Sequence, residues 1–161
     1  MPKQSAGILL HRERDGVLEV LLVHPGGPFY ARRDAGVWQF PKGELQGGEE
    51  PLAAALREFE EETGQRLGPA SPDELVRLAP RRQAGGKVVH LWALRGDCDA
   101  DAIQSNTFNL EWPPKSGTMK PFPEVDRAAW FSLGQARQRI LPSQQPFLDE
   151  FESRLGAGKE P

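Results

Sequence analysis

Cysteine is all but missing from this sequence: Cys98 is the single one in 161 residues. It has no partner for an internal disulfide and cannot build a thiolate metal cluster, so the chain makes no demand for an oxidising compartment. Flanked by Asp97 and Asp99, with no histidine close in sequence, it reads as a structural or surface cysteine and not as a nucleophile. Long apolar runs are missing too. None approaches the length needed to span a bilayer, and the opening MPKQSAGILLHRERDG meets charge too early for a secretory signal. A cytoplasmic protein with no membrane partner is expected. Excess charge of one sign is also lacking, with a formal net charge of −3. That disfavours a broad basic face for extended nucleic acid, while a local basic groove for a phosphorylated small molecule stays open. There is no internal repeat. What remains is an ordinary globular composition whose length suits one domain over residues 1–161.

The patterning is that of an α/β chain. AGILLHR (6–12) and LEVLLVH (18–24) are branched apolar runs around Asp15-Gly16, which predicts a hairpin. PGGPFYARRDAG (25–36) mixes proline, glycine and charge as a loop does, and leads into a short strand-like VWQF. A helix is predicted from Pro51, suited to a first helical position, to Thr63, with Gly64 as its stop. Its inner face is expected to be Leu52, Ala55, Leu56, Phe59 and Thr63, with Glu58 and Glu61 pointing away and Glu62 in between. DELVRLAP (73–80) and KVVHLWALRG (87–96) flank the turn RRQAGG as a second hairpin, TFNLEW and RAAWF are shorter strand candidates, and 144–155 is a closing helix. The proline-rich WPPKSGTMKPFP (112–123) is expected to be a surface loop.

REFEEETG (57–64) poses the chemical question. A helix already carries about half a negative charge at its C-terminal end, so acids in the last turn are disfavoured and call for compensation. Spacings of three and four put Glu58, Glu61 and Glu62 side by side. Their mutual repulsion is only about 0.2–0.5 kcal/mol per exposed pair, so a solvated acidic face accounts for them as well as a cation site does. Mg2+ or Mn2+ is the cation such carboxylates suit, since a hard ion takes oxygen ligands and shares them with substrate phosphate. Arg57, between Glu49 and Glu61, is placed to make charge-assisted hydrogen bonds that fix the preceding loop to the helix.

From Gly43 the chain reads GELQGGEEPLAAALREFEEETG: glycine, five residues, glutamate, seven residues, Arg-Glu, an apolar residue, any residue, Glu-Glu, any residue, glycine. This resembles the signature of the Nudix hydrolases, filled here by Gly43, Glu49, Arg57, Glu58, Phe59, Glu61, Glu62 and Gly64. One departure is Gln65, where the family usually has an apolar residue; Leu67 is the nearest apolar side chain. The resemblance implies a mixed β-sheet sandwiched between α-helices, with a loop-helix-loop motif. It also implies hydrolysis of a diphosphate linkage by in-line attack of water on phosphorus. By the same resemblance Glu58, Glu61 and Glu62 hold the metal, the Gly43 carbonyl can reach it, and one glutamate, often that at the Glu58 position, acts as base. A further metal-binding or catalytic acid is implied at Glu124 in FPEVDRAAWF, with Glu111 as its rival.

The W-x-x-P-x-G of VWQFPKG looks like that of Nudix enzymes acting on dinucleoside polyphosphates and on triphosphorylated RNA ends. A small-molecule nucleoside polyphosphate is therefore expected, with a lean to dinucleoside polyphosphates. Lys42, Arg32, Arg33, Lys115 and Lys120 are candidate phosphate contacts, and Phe29, Tyr30 and Trp112 candidate stacking rings. Trp38, in a strand-like run, is expected in the core. The alternatives are a Nudix-like module that binds without turnover, or a hydrolase of another diphosphate such as a diphosphoinositol phosphate.

Overall fold

The computed structural model describes residues 3–67 and 74–158. These form nine strands: β1 (Gln4–Arg14), β2 (Val17–Pro25), β3 (Lys42–Glu44), β4 (Leu75–Arg77), β5 (Arg81–Arg82), β6 (Val88–Arg95), β7 (Thr107–Glu111), β8 (Met119–Pro123) and β9 (Val125–Ser132). Three α-helices join them: α1 (Pro51–Thr63), α2 (Leu133–Arg139) and α3 (Gln145–Gly158). The main sheet runs β4-β6-β1-β2-β9, with β3 added to β1 and β5 to β6. It is mixed, because β1 lies parallel to β6 while the other pairings are antiparallel.

Side-chain alternation along the central strands creates two cores. Ala6, Ile8, Leu10 and Leu21 face α1, where Ala54, Ala55 and Phe59 cover them. Leu9, Val20 and Leu22 face the other way, against Phe147, Leu148 and Phe151 of α3 and Ala136 of α2. The sheet is thus sandwiched between helices, as expected. The first hairpin turns at Asp15 (φ 53°) and Gly16 (φ 77°), the left-handed pair that Asp-Gly favours. Trp38 is buried in the second core as expected, and Cys98 in the first.

Four expectations need correction. The face of α1 is rotated: Ala54 is buried and Leu56 is 39% exposed. Residues 54, 58 and 62 share one stripe of the helix, so this rotation also draws Glu58 and Glu62 inward. VWQF makes only isolated bridges, Val23 to Gln39 and Trp38 to Ile140, although Trp38 and Phe40 are buried. The RRQAGG segment is more than a turn, since Arg81 and Arg82 pair with Val89 and Val88 before the reversal at 84–86. Asp73, the first residue of that strand candidate, lies outside the described residues. Finally, 112–123 is not all loop: Met119–Pro123 is β8, paired with β7 in a separate two-stranded ribbon. Pro121 and Pro123 are tolerated because each strand of a two-stranded ribbon is an edge, and Phe122 packs toward Phe108 at 6.1 Å. No helix among the described residues is long and apolar enough to cross a membrane.

Candidate active site

The charge at the end of α1 is compensated from one turn back. Arg57 forks onto Glu49, with Nε 2.8 Å from Oε2 and Nη2 3.0 Å from Oε1, and its Nη2 also donates to the Glu44 carbonyl at 3.1 Å. Its Nη1 donates to Glu58 at 2.9 Å and to Glu61 at 3.1 Å. One guanidinium thereby ties the loop before the helix to two of its acids. The hydrogen bonds from Arg57 hold the Glu49 carboxyl down at about 2, and those to Glu49 in turn raise Arg57 above its usual value. The helix's last carbonyls are met as well: the backbone N–H groups of Gln104 and Asn106 donate to Thr63 and Glu61, each at 2.8 Å. Gly64 closes the helix at φ 73°, its N–H bonded to Glu60. Gln65, the departure from the family pattern, exchanges two hydrogen bonds with the Asp99 backbone (2.7 and 2.9 Å), while Leu67 packs on the first core.

Glu58 does not point into solvent. Its carboxylate lies against Gly43, and burial lifts it above the usual carboxyl value, opposed by Arg57 and assisted by the charge of Glu61. Glu62 goes further in. Burial, and after it the charge of Glu58, pushes its carboxyl up to about 8, against the pull of Lys42. Glu61 stays the most open of the three. Beside Gly43 opens a pocket of about 240 Å³ whose wall includes Glu62, Glu124, Glu44, Lys42, Lys87 and Ser5. Burial raises Glu124, and burial followed by the neighbouring charge of Lys87 lowers Lys42. Among the described residues, no three Asp, Glu, His or Cys side chains close on one point as a ready-made metal cage.

The pocket therefore brings together Lys42, Gly43, Glu62 and Glu124, with Glu58 against Gly43. Tyr30, Arg32 and Lys115 do not line it. The guanidinium of Arg33 sits 5.7 Å from the ring of Tyr30, and Lys115 lies in the exposed tip between β7 and β8, its N–H bonded to Glu111 at 2.9 Å. That bond uses Glu111 as a turn acceptor and leaves Glu124 as the acid beside Glu62. Ser5, Lys87 and Gln39 line the pocket unforeseen. Equally unforeseen, outside the pocket, is the support behind the 25–36 loop: His24 is fully buried, its ring nitrogens 2.7 Å from Asp126 and 2.6 Å from the Arg33 carbonyl. No local pattern marks these residues.

The family model described as NUDIX domain matches residues 1–151. The chain belongs to the Nudix family. An RNA pyrophosphohydrolase of Mesorhizobium japonicum is 33% identical over 125 residues, covering 71% of this chain and 67% of that protein. Matches to the first three curated relatives span about two thirds of their length. Among solved structures, the C. elegans Ap4A hydrolase binary complex aligns with a TM-score of 0.63 at 21% identity, covering 96% of this chain and 98% of that one. The NUDIX domain of Shewanella oneidensis NrtR complexed with ADP ribose gives 0.63 at 20% identity, covering 96% and 89%. These two speak to the Nudix fold alone. Family and relatives together bear out the reading of the chain as a Nudix pyrophosphohydrolase.

Proposed function

We propose that this Nudix chain cleaves a diphosphate linkage in a nucleoside polyphosphate, with a lean to dinucleoside polyphosphates, using Mg2+ or Mn2+. The observation that carries the reading is a pocket with acids and lysines in one wall: Glu62 and Glu124 with Lys42 and Lys87, beside Gly43. Acids alone would suit a cation and lysines alone an anion; the two together suit an anion that arrives with its cation.

The residues present fit such an ion. Every donor offered is oxygen, from Glu58, Glu61, Glu62, Glu124 and the Gly43 carbonyl, which suits a hard cation that keeps waters and completes its shell with phosphate. A buried carboxyl held near 8 beside a second acid is a site where a cation replaces the proton. When bound, the ion supplies neutralisation of phosphate charge and a more acidic water. Arg57 holds Glu58 and Glu61 in place through the bonds that also anchor Glu49. Lys42 takes phosphate oxygens, and Tyr30, Arg32 and Lys115 serve outside the pocket as contacts to the rest of the substrate. A glutamate of the ridge accepts the proton of the attacking water as the bridging P–O bond breaks. Residues 1–161 act as one domain in this reading, in the cytoplasm.

A second reading takes a triphosphorylated RNA 5′ end as substrate, favoured by the names of the curated relatives. One assay separates them. Purified protein, with and without Mg2+ or Mn2+, is offered nucleoside triphosphates, dinucleoside polyphosphates, 5′-triphosphorylated RNA, sugar nucleotides and diphosphoinositols. Metal-dependent turnover that is fastest on a dinucleoside polyphosphate, and lost in Glu61→Gln and Glu62→Gln, supports the first reading. Fastest turnover on RNA ends selects the second, and turnover indifferent to both substitutions removes the site assignment.

A further inference from the structure

Among the described residues, three buried side-chain polar atoms have no hydrogen-bond partner: Ser5 Oγ, Arg81 Nε and Gln144 Nε2. Two belong to groups that are bonded elsewhere. Arg81 donates through Nη2 to Glu150, and Gln144 accepts through Oε1 from the Phe40 backbone. Ser5 is different, because the orphaned hydroxyl is its whole polar group, and the residue has no exposed surface. A native chain rarely buries a hydroxyl with nothing to bond.

Its position says what is missing. Ser5 stands in the wall of the pocket already described, in a stretch where β1 pairs Ser5 with Glu44 of β3 and with Val89 of β6. The parallel pairing brings Lys87, two residues before Val89, to the same end of the sheet, and Lys87 and Lys42 line the same pocket. Lys87 has Glu44 at 3.4 Å. The two lysines can only donate and the Ser5 hydroxyl can donate or accept, yet no bond joins the hydroxyl to either ammonium. An acceptor-only group of negative charge satisfies all three, whereas a metal ion would meet two repelling cations.

We propose that Ser5 is a substrate-recognition residue, donating its hydroxyl hydrogen to a non-bridging oxygen of a phosphoryl group seated by Lys42 and Lys87. This rests on the reading of the pocket as a polyphosphate site and adds to it a residue that no motif contains.

The test uses Ser5→Ala, Lys87→Met and the double variant, with inorganic tripolyphosphate plus Mg2+ as the calorimetric probe and turnover of the best nucleoside polyphosphate alongside. Ser5→Ala is expected to weaken probe binding and raise KM by about ten-fold, as loss of a hydrogen bond to a charged group does. Its Tm is expected to stay level or rise, since an unpaired buried hydroxyl is removed. The two single losses should exceed their combined effect in the double variant, because both groups hold one phosphoryl group. Unchanged binding in Ser5→Ala overturns the proposal. So does a lowered Tm with KM unmoved, which would make the hydroxyl a structural group. If the wild-type protein neither binds the probe nor turns over any polyphosphate, the functional reading falls and Ser5 with it. If it does both and Ser5→Ala matches it, Ser5 alone falls.

Discussion

The carboxylate of Glu58 occupies the space that a side chain on Gly43 would need. A β-carbon built there would overlap the Glu58 carboxyl carbon and both of its oxygens. Gly43 is thus required for close approach, which is separate from any conformational freedom. Gly43→Ala is expected to push Glu58 off the pocket rim and cut kcat by about 100-fold, the scale of an ångström's misplacement. The loss of stability should be about 1 kcal/mol or less, because the displaced side chain can swing outward. Steady-state kinetics beside a urea melt checks this; wild-type kcat would show that the contact carries no catalytic weight.

Glu62 makes stability depend on pH in an unusual direction for an acid. Its native carboxyl titrates near 8, against an ordinary value of 4.5. As pH rises between those values the unfolded chain gives up the proton first, so the contribution of Glu62 is complete below 4.5 and is lost through 8. Glu62→Gln should therefore melt above wild type at pH 8 in the presence of a chelator, by an amount on the order of 2 kcal/mol. At pH 5 the two should nearly coincide. Magnesium added to wild type at pH 8 should recover stability, as any ligand of the native state does, whereas the variant should gain less. A gap independent of pH would contradict the burial argument.

His24 is the fixed point behind the loop that carries Tyr30 and Arg32. Its ring nitrogens lie 2.7 Å from Asp126 and 2.6 Å from the Arg33 carbonyl, which can only accept. The ring also meets Trp38 edge-on at 5.1 Å. His24→Ala removes both bonds, leaving the Arg33 carbonyl without this donor and Asp126 with Arg127 at 3.8 Å, at an expected cost of about 2–4 kcal/mol. Hydrogen exchange should speed up across residues 30–36 more than in α3. Equal acceleration in both segments would show that the loss is global.

His11 sets an acid limit. Burial, with the nearby charge of Arg95, lowers its ring to about 4, and Phe151 packs on it at 4.8 Å. As pH falls below 6.5 the unfolded chain takes up a proton that the native ring refuses. Stability is complete at neutral pH, declines toward 4 and then levels, by about 1–2 kcal/mol once solvent screening is allowed for. Thermal melts of wild type and His11→Gln from pH 7 to 4 should converge if this is right, and run parallel if it is not.

Legibility in the sequence followed distance along the chain. The Pro51–Thr63 helix, its Gly64 stop and the Arg57 links to Glu49 and Glu61 were readable because every partner lies within a few turns of the others, whereas the Arg57 bond to Glu58 was not foreseen. The face of α1 was misread at Leu56, since alanines at 53, 54 and 55 give a helical pattern no sharp edge and the sheet chose Ala54. The 112–123 segment was misread because its prolines signal a break, yet a two-stranded ribbon has edges to spare for them.

By itself the sequence determined the acidic ridge, the arginine that neutralises it and the branched apolar runs that become the first strands, all read from residues close together in the chain. Only the tertiary structure decided how deep Glu62 sits, that Glu124 joins it, and that Ser5 and Lys87 share its pocket. Those residues come from strands and loops far apart in the chain. Their meeting depends on β1 lying parallel to β6 and β9 antiparallel to β2, pairings that many strand orders would satisfy equally well in hydrophobic pattern alone.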